Sequence, residues 1–125
     1  MSAPEKAGRR VLVVDDNHDS AETIAMLVEL WGHEVRIVHS GPAALAEAPA
    51  WPPDVVLLDI GLPGLDGYEV ARRMRQDPAL VGVMLVAMTG YGQERDRRLS
   101  QEAGFDHHLV KPVDPVMLQE LLAQG

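Results

Sequence analysis

The sequence predicts an α/β fold in which a parallel β-sheet is covered by helices on both faces. Short apolar runs alternate along the chain with segments whose apolar residues recur at helical spacing. This alternation is typical of strand–helix–strand units with parallel strands. The run Val55-Val56-Leu57-Leu58 is apolar at every position, which indicates a strand buried on both faces. With 125 residues, the chain is expected to form one domain that buries a core without disulfides or structural metal.

Each predicted strand is a short apolar run with polar or turn-forming residues at its ends. The strands are predicted at residues 11–14, 34–38, 55–58, 83–88 and around 109–110. The segment Trp51-Pro52-Pro53 turns the chain into the third strand, and Asp59 stands at the carboxyl end of that strand.

The first two helices are predicted from their apolar spacing and from the residues that end them. The first follows the opening strand and ends at Gly32, since glycine is favoured where a chain leaves a helix. Its apolar positions are Ile24, Leu27, Val28 and Trp31. The second helix is alanine-rich, spans residues 41–48 and is expected to close at Pro49.

The third and fifth helices also have recognisable limits. The third, at residues 68–75, stops before Asp77-Pro78, because the residue before a proline disfavours helical geometry. Asp114 is expected to cap the fifth helix. The apolar face of that helix consists of Leu118, Leu121 and Leu122.

The fourth helix, predicted at residues 93–103, differs from the others. Only Leu99 and Ala103 contribute to an apolar face, so its packing should contribute little free energy. The sequence by itself fits either an ordinary solvated surface helix or a helix that is easily displaced.

Composition and charge exclude several classes of function. The chain has 11 lysines and arginines against 19 aspartates and glutamates, a net charge of −8, so nucleic acid is not expected as a direct partner. The absence of cysteine excludes disulfides, thiolate zinc sites and a thiol nucleophile. No apolar stretch approaches the roughly 20 residues of a membrane span, and no signal-peptide core precedes Arg10. We expect a cytoplasmic protein with a flexible tail at residues 1–8 and a single domain at residues 9–125.

Polar side chains stand at the ends of four of the predicted strands. Asp15 and Asp16 follow the first strand, and Asp59 follows the third. Thr89 follows the fourth strand, and Lys111 follows the fifth. The carboxyl ends of parallel strands meet at one edge of the sheet, where ligand sites form in open α/β folds. Three carboxylates that close together would repel one another unless a cation held them, so the pattern predicts a divalent-metal site.

In order and spacing, these five residues resemble the receiver domains of two-component response regulators. The resemblance extends from about Arg10 to Leu122 and includes the glycine- and proline-rich loop after Asp59. It implies a flavodoxin-like, doubly wound sheet of five parallel strands in the order 2-1-3-4-5. The segments Leu-Pro-Gly-Leu-Asp-Gly-Tyr-Glu-Val-Ala and His-His-Leu-Val-Lys-Pro-Val-Asp look most like receivers of hybrid histidine kinases. The sequence leaves open whether the chain is a free-standing regulator or a segment of such a kinase.

The resemblance implies a chemistry in which Asp59 is the nucleophile that accepts a phosphoryl group from a phosphohistidine. Lys111 would supply a cation to that group, and Thr89 would supply a hydroxyl donor to one of its oxygens. A domain of this kind is a signalling domain rather than an enzyme, although it assists its own phosphorylation and dephosphorylation.

The cofactor implied by the resemblance is Mg²⁺, which prefers oxygen ligands in octahedral geometry. Asp16 and Asp59 would bind the ion directly. Asp15 would hold it through water, and the backbone carbonyl of Gly61 would add a further oxygen. The metal would neutralise the carboxylate cluster and meet the charge that spreads over the phosphoryl oxygens during transfer.

A switch is implied as well, in which the Thr89 hydroxyl moves towards the phosphoryl group and a second side chain fills the vacated space. That second position, three residues before Lys111, is His108 here, whereas many receivers have tyrosine or phenylalanine there. The sequence is equally consistent with a His108 that stays exposed and contributes only to a partner surface. The fourth helix would be a movable part of the output face, and Tyr91 would place its ring near the site entrance.

The partners implied are a sensor histidine kinase or a histidine phosphotransfer domain, together with an output protein or a fused output domain. Neither a membrane nor nucleic acid is expected as a direct partner. The sequence leaves open whether the domain forms a homodimer.

Two other classes of protein share part of this pattern. A phosphatase of the haloacid dehalogenase type needs a second aspartate two residues after the first, and Asp15-Asp16-Asn17-His18 does not supply it. A flavodoxin-like cofactor binder needs a phosphate loop rich in serine, threonine or glycine, where this chain has Asp-Asp-Asn-His-Asp. A receiver that only binds partners is disfavoured, because no member of the phosphorylation set is missing.

Several residues also have ordinary structural explanations. Asp15 or Asp16 alone would fit a helix N-cap, and Lys111-Pro112 alone would fit a turn at a strand end. Gly64 and Gly67 are expected to serve loop geometry. Three further histidines are scattered along the sequence and are expected to be surface residues: His18, His33 and His39.

Overall fold

The computed structural model describes residues 8–90 and 97–124. Five parallel strands form one sheet in the order β2-β1-β3-β4-β5, which confirms the predicted doubly wound order. The strands are β1 Arg10–Val14, β2 Glu34–Val38, β3 Val55–Asp59, β4 Met84–Thr89 and β5 His107–Val110. Asp59 and Thr89 are therefore the last residues of their strands.

Helices cover both faces of the sheet. They are α1 His18–Leu30, α2 Gly41–Ala50, α3 Gly67–Gln76, α4 Arg97–Ala103 and α5 Pro115–Leu122, with a 3₁₀ turn at Pro78–Leu80 after α3. Residues of α1 and α5 share one apolar cluster with the sheet, and residues of α2, α3 and α4 share the other. Within residues 8–90 and 97–124, every helix is too short or too polar to cross a bilayer.

The two central strands are apolar at successive positions because each of their faces meets a helix layer. In β1, Val11 and Val13 face the cluster with α1 and α5, whereas Leu12 and Val14 face the cluster with α2 and α3. The four apolar residues of β3 are fully buried in the same alternating way. This packing holds the carboxyl ends of β1 and β3 in fixed positions, which is a requirement for a precise site at that edge.

Some boundaries differ from those predicted. The second helix continues through Pro49 to Ala50, because a proline in the last turn removes only one backbone hydrogen bond and its φ suits a helix. The N-cap of α1 is Asn17, whose side chain accepts a hydrogen bond from the Ser20 amide, so neither aspartate is the cap. The predicted tail lies outside the described residues except for Gly8, whose amide donates to the Gly32 carbonyl.

The fourth helix is anchored mainly at one end. Leu99 is 47% exposed, so the prediction that it forms part of an apolar face is wrong, and Ala103 alone among the described side chains of α4 is buried. Just beyond Ala103, the Gly104 carbonyl accepts two hydrogen bonds from the Arg75 guanidinium. This arrangement means that α4 packs weakly along most of its length. Displacement of α4 on activation stays a prediction. The part of the predicted helix at residues 93–96 lies outside the described residues.

Gly67 is needed for close packing rather than for an unusual backbone conformation. A Cβ atom at this position would lie 2.5 Å from the Ile60 Cα atom and 2.9 Å from the Asp59 carbonyl oxygen. The start of α3 thus rests directly on the backbone that carries Asp59. Gly64, by contrast, has a φ of 75°, as expected for a glycine that serves loop geometry.

We expect Gly67→Ala to lower the free energy of unfolding by about 3 kcal/mol, because the added methyl group meets backbone atoms that cannot move aside independently. Gly82→Ala is a matched control, since a Cβ atom there would meet nothing within 4 Å, and its effect should stay within about 0.5 kcal/mol. Urea unfolding of both variants measures the difference. Equal stabilities for the two variants would show that α3 does not pack tightly on the Asp59 backbone.

Candidate functional site

Three carboxylates meet at the carboxyl edge of the sheet, as the sequence predicts. Asp15 directly follows β1, Asp16 is the next residue, and Asp59 ends the neighbouring strand β3. One oxygen of each carboxylate lies within 4.8 Å of the others. Asp15 is fully buried, Asp59 is nearly so, and Asp16 is exposed, so the cluster opens to solvent on the side of Asp16.

Lys111 joins the two buried carboxylates. Its Nζ atom lies 2.9 Å from Asp15 Oδ2 and 3.1 Å from Asp59 Oδ2. The backbone amide of Lys111 donates to the Thr89 carbonyl at 2.7 Å, which continues the pairing of β4 with β5 and directs Lys111 towards the aspartates. The peptide bond between Lys111 and Pro112 is cis.

The second oxygen of each buried carboxylate is held by a backbone amide two residues later. Asp15 Oδ1 accepts from the Asn17 amide at 3.0 Å, and Asp59 Oδ1 accepts from the Gly61 amide at 2.8 Å. Both side chains are therefore oriented from two directions before any ligand binds. Gly61 was predicted to offer its carbonyl to a metal, and that contribution stays a prediction.

The two carboxylates that share Lys111 differ in their affinity for a proton. Burial raises the pKa of Asp59 above its ordinary value, and hydrogen bonds from Gly61 and Lys111 do not offset it. Burial acts in the same direction on Asp15, but hydrogen bonds from Asn17 and Lys111 hold the pKa of Asp15 below its ordinary value. Burial also disfavours the Lys111 ammonium, yet its bonds to both aspartates raise the pKa of Lys111. Asp59 is thus the carboxylate whose charge the fold tolerates least.

Thr89 completes the set of predicted residues at this edge. It is 1% exposed, and within the described part of the chain its hydroxyl has no hydrogen-bond partner. A buried hydroxyl without a partner is unfavourable, which is consistent with a group reserved for a ligand. His108 lies in β5 opposite Ala87 and is partly buried, and its function as a switch stays a prediction. Tyr91 lies outside the described residues.

Sequence reasoning missed two histidines beside the acidic cluster. The rings of His18 and His39 are stacked with 3.7 Å between their centroids and an interplanar angle of 9°. His39 Nδ1 lies 2.9 Å from the Asp15 carbonyl oxygen. The expectation that the histidines are scattered is therefore wrong for this pair, whereas His18 is an exposed surface residue as expected and His39 is partly buried. His18 follows β1, and His39 directly follows the adjacent strand β2. These positions in the sequence could have indicated that the two rings meet at the same edge of the sheet.

The donor set fits a small divalent cation. All three side chains offer carboxylate oxygens, the ligands that Mg²⁺ prefers, and their three negative charges face the single positive charge of Lys111. The Asp16 carboxylate forms no hydrogen bond or ion pair with any described residue. An additional positive charge at this position would relieve repulsion that Lys111 leaves uncompensated.

Comparisons with known proteins agree with this arrangement. The family model of the response regulator receiver domain matches residues 11–123. Response regulator PleD of Caulobacter vibrioides is 37% identical over 109 residues, which are 87% of this chain but only 24% of PleD. The chain therefore corresponds to a small part of that regulator.

Solved structures give the same result for the fold. The receiver domain of sensor histidine kinase PA1611 from Pseudomonas aeruginosa, which has a magnesium ion coordinated in its active site cleft, is 32% identical with a TM-score of 0.84. The match covers 93% of this chain and 95% of that one. Chemotaxis regulator CheY4 of Vibrio cholerae is 25% identical with a TM-score of 0.86, covering 93% and 97% of the two chains. Because the family match spans nearly the whole chain and the acidic edge has the predicted geometry, this protein belongs to the response regulator receiver domains of two-component signalling systems.

Proposed function

We propose that Asp59 accepts a phosphoryl group from a phosphohistidine and that the modified domain then binds its output partner differently. The observation that carries this proposal is the position of Lys111 Nζ, within 3.1 Å of Asp59 and 2.9 Å of Asp15 in one acidic cluster. Asp59 is the carboxylate in the cluster that both ends a strand and contacts the lysine.

In the transfer, an oxygen of the Asp59 carboxylate attacks phosphorus as the bond from phosphorus to the donor histidine nitrogen breaks. The freed imidazole nitrogen takes a proton from solvent. Asp59 must be ionised to attack, and burial makes that negative charge unfavourable. Phosphorylation converts the carboxylate to an acyl phosphate, whose negative charge lies on the phosphoryl oxygens, farther from the buried side chain.

Lys111 and Thr89 act on the phosphoryl oxygens. The Lys111 ammonium already contacts the Asp59 carboxylate at 3.1 Å, so it would lie beside the oxygens of a group attached there. The Thr89 hydroxyl is free to donate, because no described residue occupies it. Fixed donors of this kind stabilise charge that develops during transfer without reorganising at the moment of reaction.

Mg²⁺ is the cofactor of this proposal. Asp16 and Asp59 would hold it directly, Asp15 through water, and Gly61 through its carbonyl oxygen. When bound, Mg²⁺ neutralises the carboxylates and withdraws charge from the phosphoryl oxygens. The residues of the chain provide the orientation, since Lys111 and two backbone amides hold Asp15 and Asp59 in place.

The partner that we propose as phosphoryl donor is a sensor histidine kinase or a histidine phosphotransfer domain. The partner that responds to phosphorylation is an output protein or a fused output domain. A receiver domain of this kind is a signalling domain that promotes its own phosphorylation and dephosphorylation. The switch would combine movement of Thr89 with rotation of His108 and displacement of α4, which packs weakly.

Incubation with acetyl phosphate tests the proposal without a cognate kinase. With Mg²⁺ present, intact-mass spectrometry should show one added phosphoryl group that hydroxylamine removes, and omission of Mg²⁺ should suppress it. Borohydride reduction converts an aspartyl phosphate to homoserine, which peptide mapping should find at Asp59. Homoserine at Asp15 or Asp16, or no modification at any Mg²⁺ concentration, would contradict the proposal.

A further inference from the structure

The stacked histidines beside the acidic cluster have no part in the chemistry proposed above. His39 is partly buried and its Nδ1 atom lies 2.9 Å from the Asp15 carbonyl oxygen. Because a carbonyl oxygen can only accept a hydrogen bond, Nδ1 must carry the proton in this contact. The exposed ring of His18, the first residue of α1, lies against the His39 ring at 3.7 Å.

His39 supplies a hydrogen bond at the point where the backbone pairing of two strands ends. The Asp15 amide donates to the Val38 carbonyl at 3.1 Å, which extends the pairing of β1 with β2 by one residue. In a regular parallel pair, the Asp15 carbonyl would next accept from the amide of Ser40. The chain instead turns after Val38, and Ser40 becomes the N-cap of α2. The imidazole of His39 takes the position of the missing donor.

This hydrogen bond bears on the orientation of Asp16. The Asp15 carbonyl belongs to the peptide plane that joins Asp15 to Asp16, and that plane is rigid. Lys111 and Asn17 hold the Asp15 side chain directly. The exposed Asp16 carboxylate has no such support from any described residue. Its direction therefore follows from its backbone. The Asp15 amide is held by Val38, and the carbonyl on the Asp16 side of Asp15 is held by His39.

We propose that His39 is a positioning residue that orients Asp16 for the metal ion, and that His18 keeps the His39 ring in place by stacking. This inference rests on the proposed function, in which Asp16 binds Mg²⁺ directly. Residues that orient a metal ligand in this way commonly change metal affinity about 10-fold or more when they are replaced.

Four variants separate this function from a general effect on stability. His39→Ala removes the donor, whereas His39→Asn keeps a nitrogen donor at the same position in the side chain as Nδ1. His18→Ala removes the stacking alone. His33→Ala is the matched control, because His33 also forms a hydrogen bond with the backbone beside β1. Its Nδ1 atom accepts from the Arg9 amide at 3.3 Å, at the opposite end of that strand.

The dissociation constant for Mg²⁺ is measured by NMR titration of backbone amides for each variant. We expect about 10-fold weaker binding for His39→Ala, about 3-fold for His18→Ala, and values close to wild type for His39→Asn and His33→Ala. At saturating Mg²⁺, His39→Ala should regain a phosphorylation rate within about twofold of wild type. Unchanged Mg²⁺ affinity in His39→Ala, or a rate that stays low at saturation, would overturn the inference.

Two further observations keep the test decisive. In the metal-free wild type, ¹⁵N shifts should identify the His39 tautomer protonated at Nδ1, and the other tautomer would overturn the inference even if His39→Ala does not fold. Phosphorylation of the wild type is measured in parallel. If the wild type is modified at Asp59 while His39→Ala binds Mg²⁺ normally, this inference alone fails. If the wild type is never modified, the proposed function fails.

Discussion

Asp59→Asn is expected to abolish the Mg²⁺-dependent modification by acetyl phosphate. The amide lacks the nucleophilic oxygen. Asp15 contacts Lys111 but is fully buried, and Asp16 has no ion pair with Lys111, so neither should replace Asp59 as the nucleophile. Asp54→Asn is the matched control, since Asp54 lies at the opposite end of β3 and its carboxylate accepts a hydrogen bond from the Arg10 amide at 2.8 Å. Intact-mass spectrometry should show full modification of that control. Modification of Asp59→Asn at the wild-type level would contradict the assignment of Asp59.

The same substitution is expected to stabilise the metal-free protein near neutral pH. The folded-state pKa of Asp59 is raised, chiefly by burial, so the ionised carboxylate opposes folding, whereas a neutral amide does not. The gain should appear as a higher urea midpoint for Asp59→Asn than for the wild type, because ionisation of Asp59 costs free energy in the folded state. Added Mg²⁺ should reverse the order, because it binds only the folded wild type tightly.

The pH dependence of this gain has a definite sign. An acidic group whose pKa is raised by folding destabilises the folded state fully at pH values above its folded-state pKa. The effect vanishes well below the unfolded-state pKa, which is about 3.9 for aspartate. The advantage of Asp59→Asn should therefore shrink as pH falls through the folded-state pKa of Asp59 towards that value. Urea unfolding in a chelator at a series of pH values measures it. An advantage that grows in acid would refute the raised pKa of Asp59.

Lys111→Met should slow phosphorylation at saturating Mg²⁺ about 100-fold, because it removes a fixed charge from the transferred group while keeping an apolar stem. It should also lower the free energy of unfolding by about 2 kcal/mol, since two buried carboxylates lose their shared cation. That figure lies below the range for fully buried pairs because the Lys111 side chain is 25% exposed.

A double variant separates these two effects of Lys111. Lys111→Met with Asp15→Asn removes one buried charge of each sign, so it should recover most of the lost stability while phosphorylation stays slow. Lys6→Met, at the only other lysine of the chain, controls for the substitution itself. Rates from acetyl phosphate and urea unfolding measure both effects. A double variant that regains the wild-type rate would mean that Lys111 acts on charge balance alone.

Local patterns were sufficient to predict the strands and most helices. The fully apolar run before Asp59 indicates a strand buried on both faces, which the structure confirms, and its neighbours in sequence have the spacing of covering helices. The positions of Asp59 and Thr89 at strand ends follow from the same patterns, because polarity changes abruptly where a buried strand meets solvent. The exposure of Leu99 was not predictable in this way, since it depends on how α4 sits against α3 and the sheet.

The chain's own sequence thus determined the fold class, the acidic edge and the residues that meet there, because each is encoded by neighbours a few positions apart. Only the tertiary structure decided how those residues interact. The bridge from Lys111 to Asp15 joins positions 96 residues apart, and the different pKa shifts of Asp15 and Asp59 follow from burial and amide contacts around that bridge. The meeting of His18 with His39 likewise depends on the register of β1 with β2. Such long-range geometry depends on packing across the sheet, which no local pattern specifies.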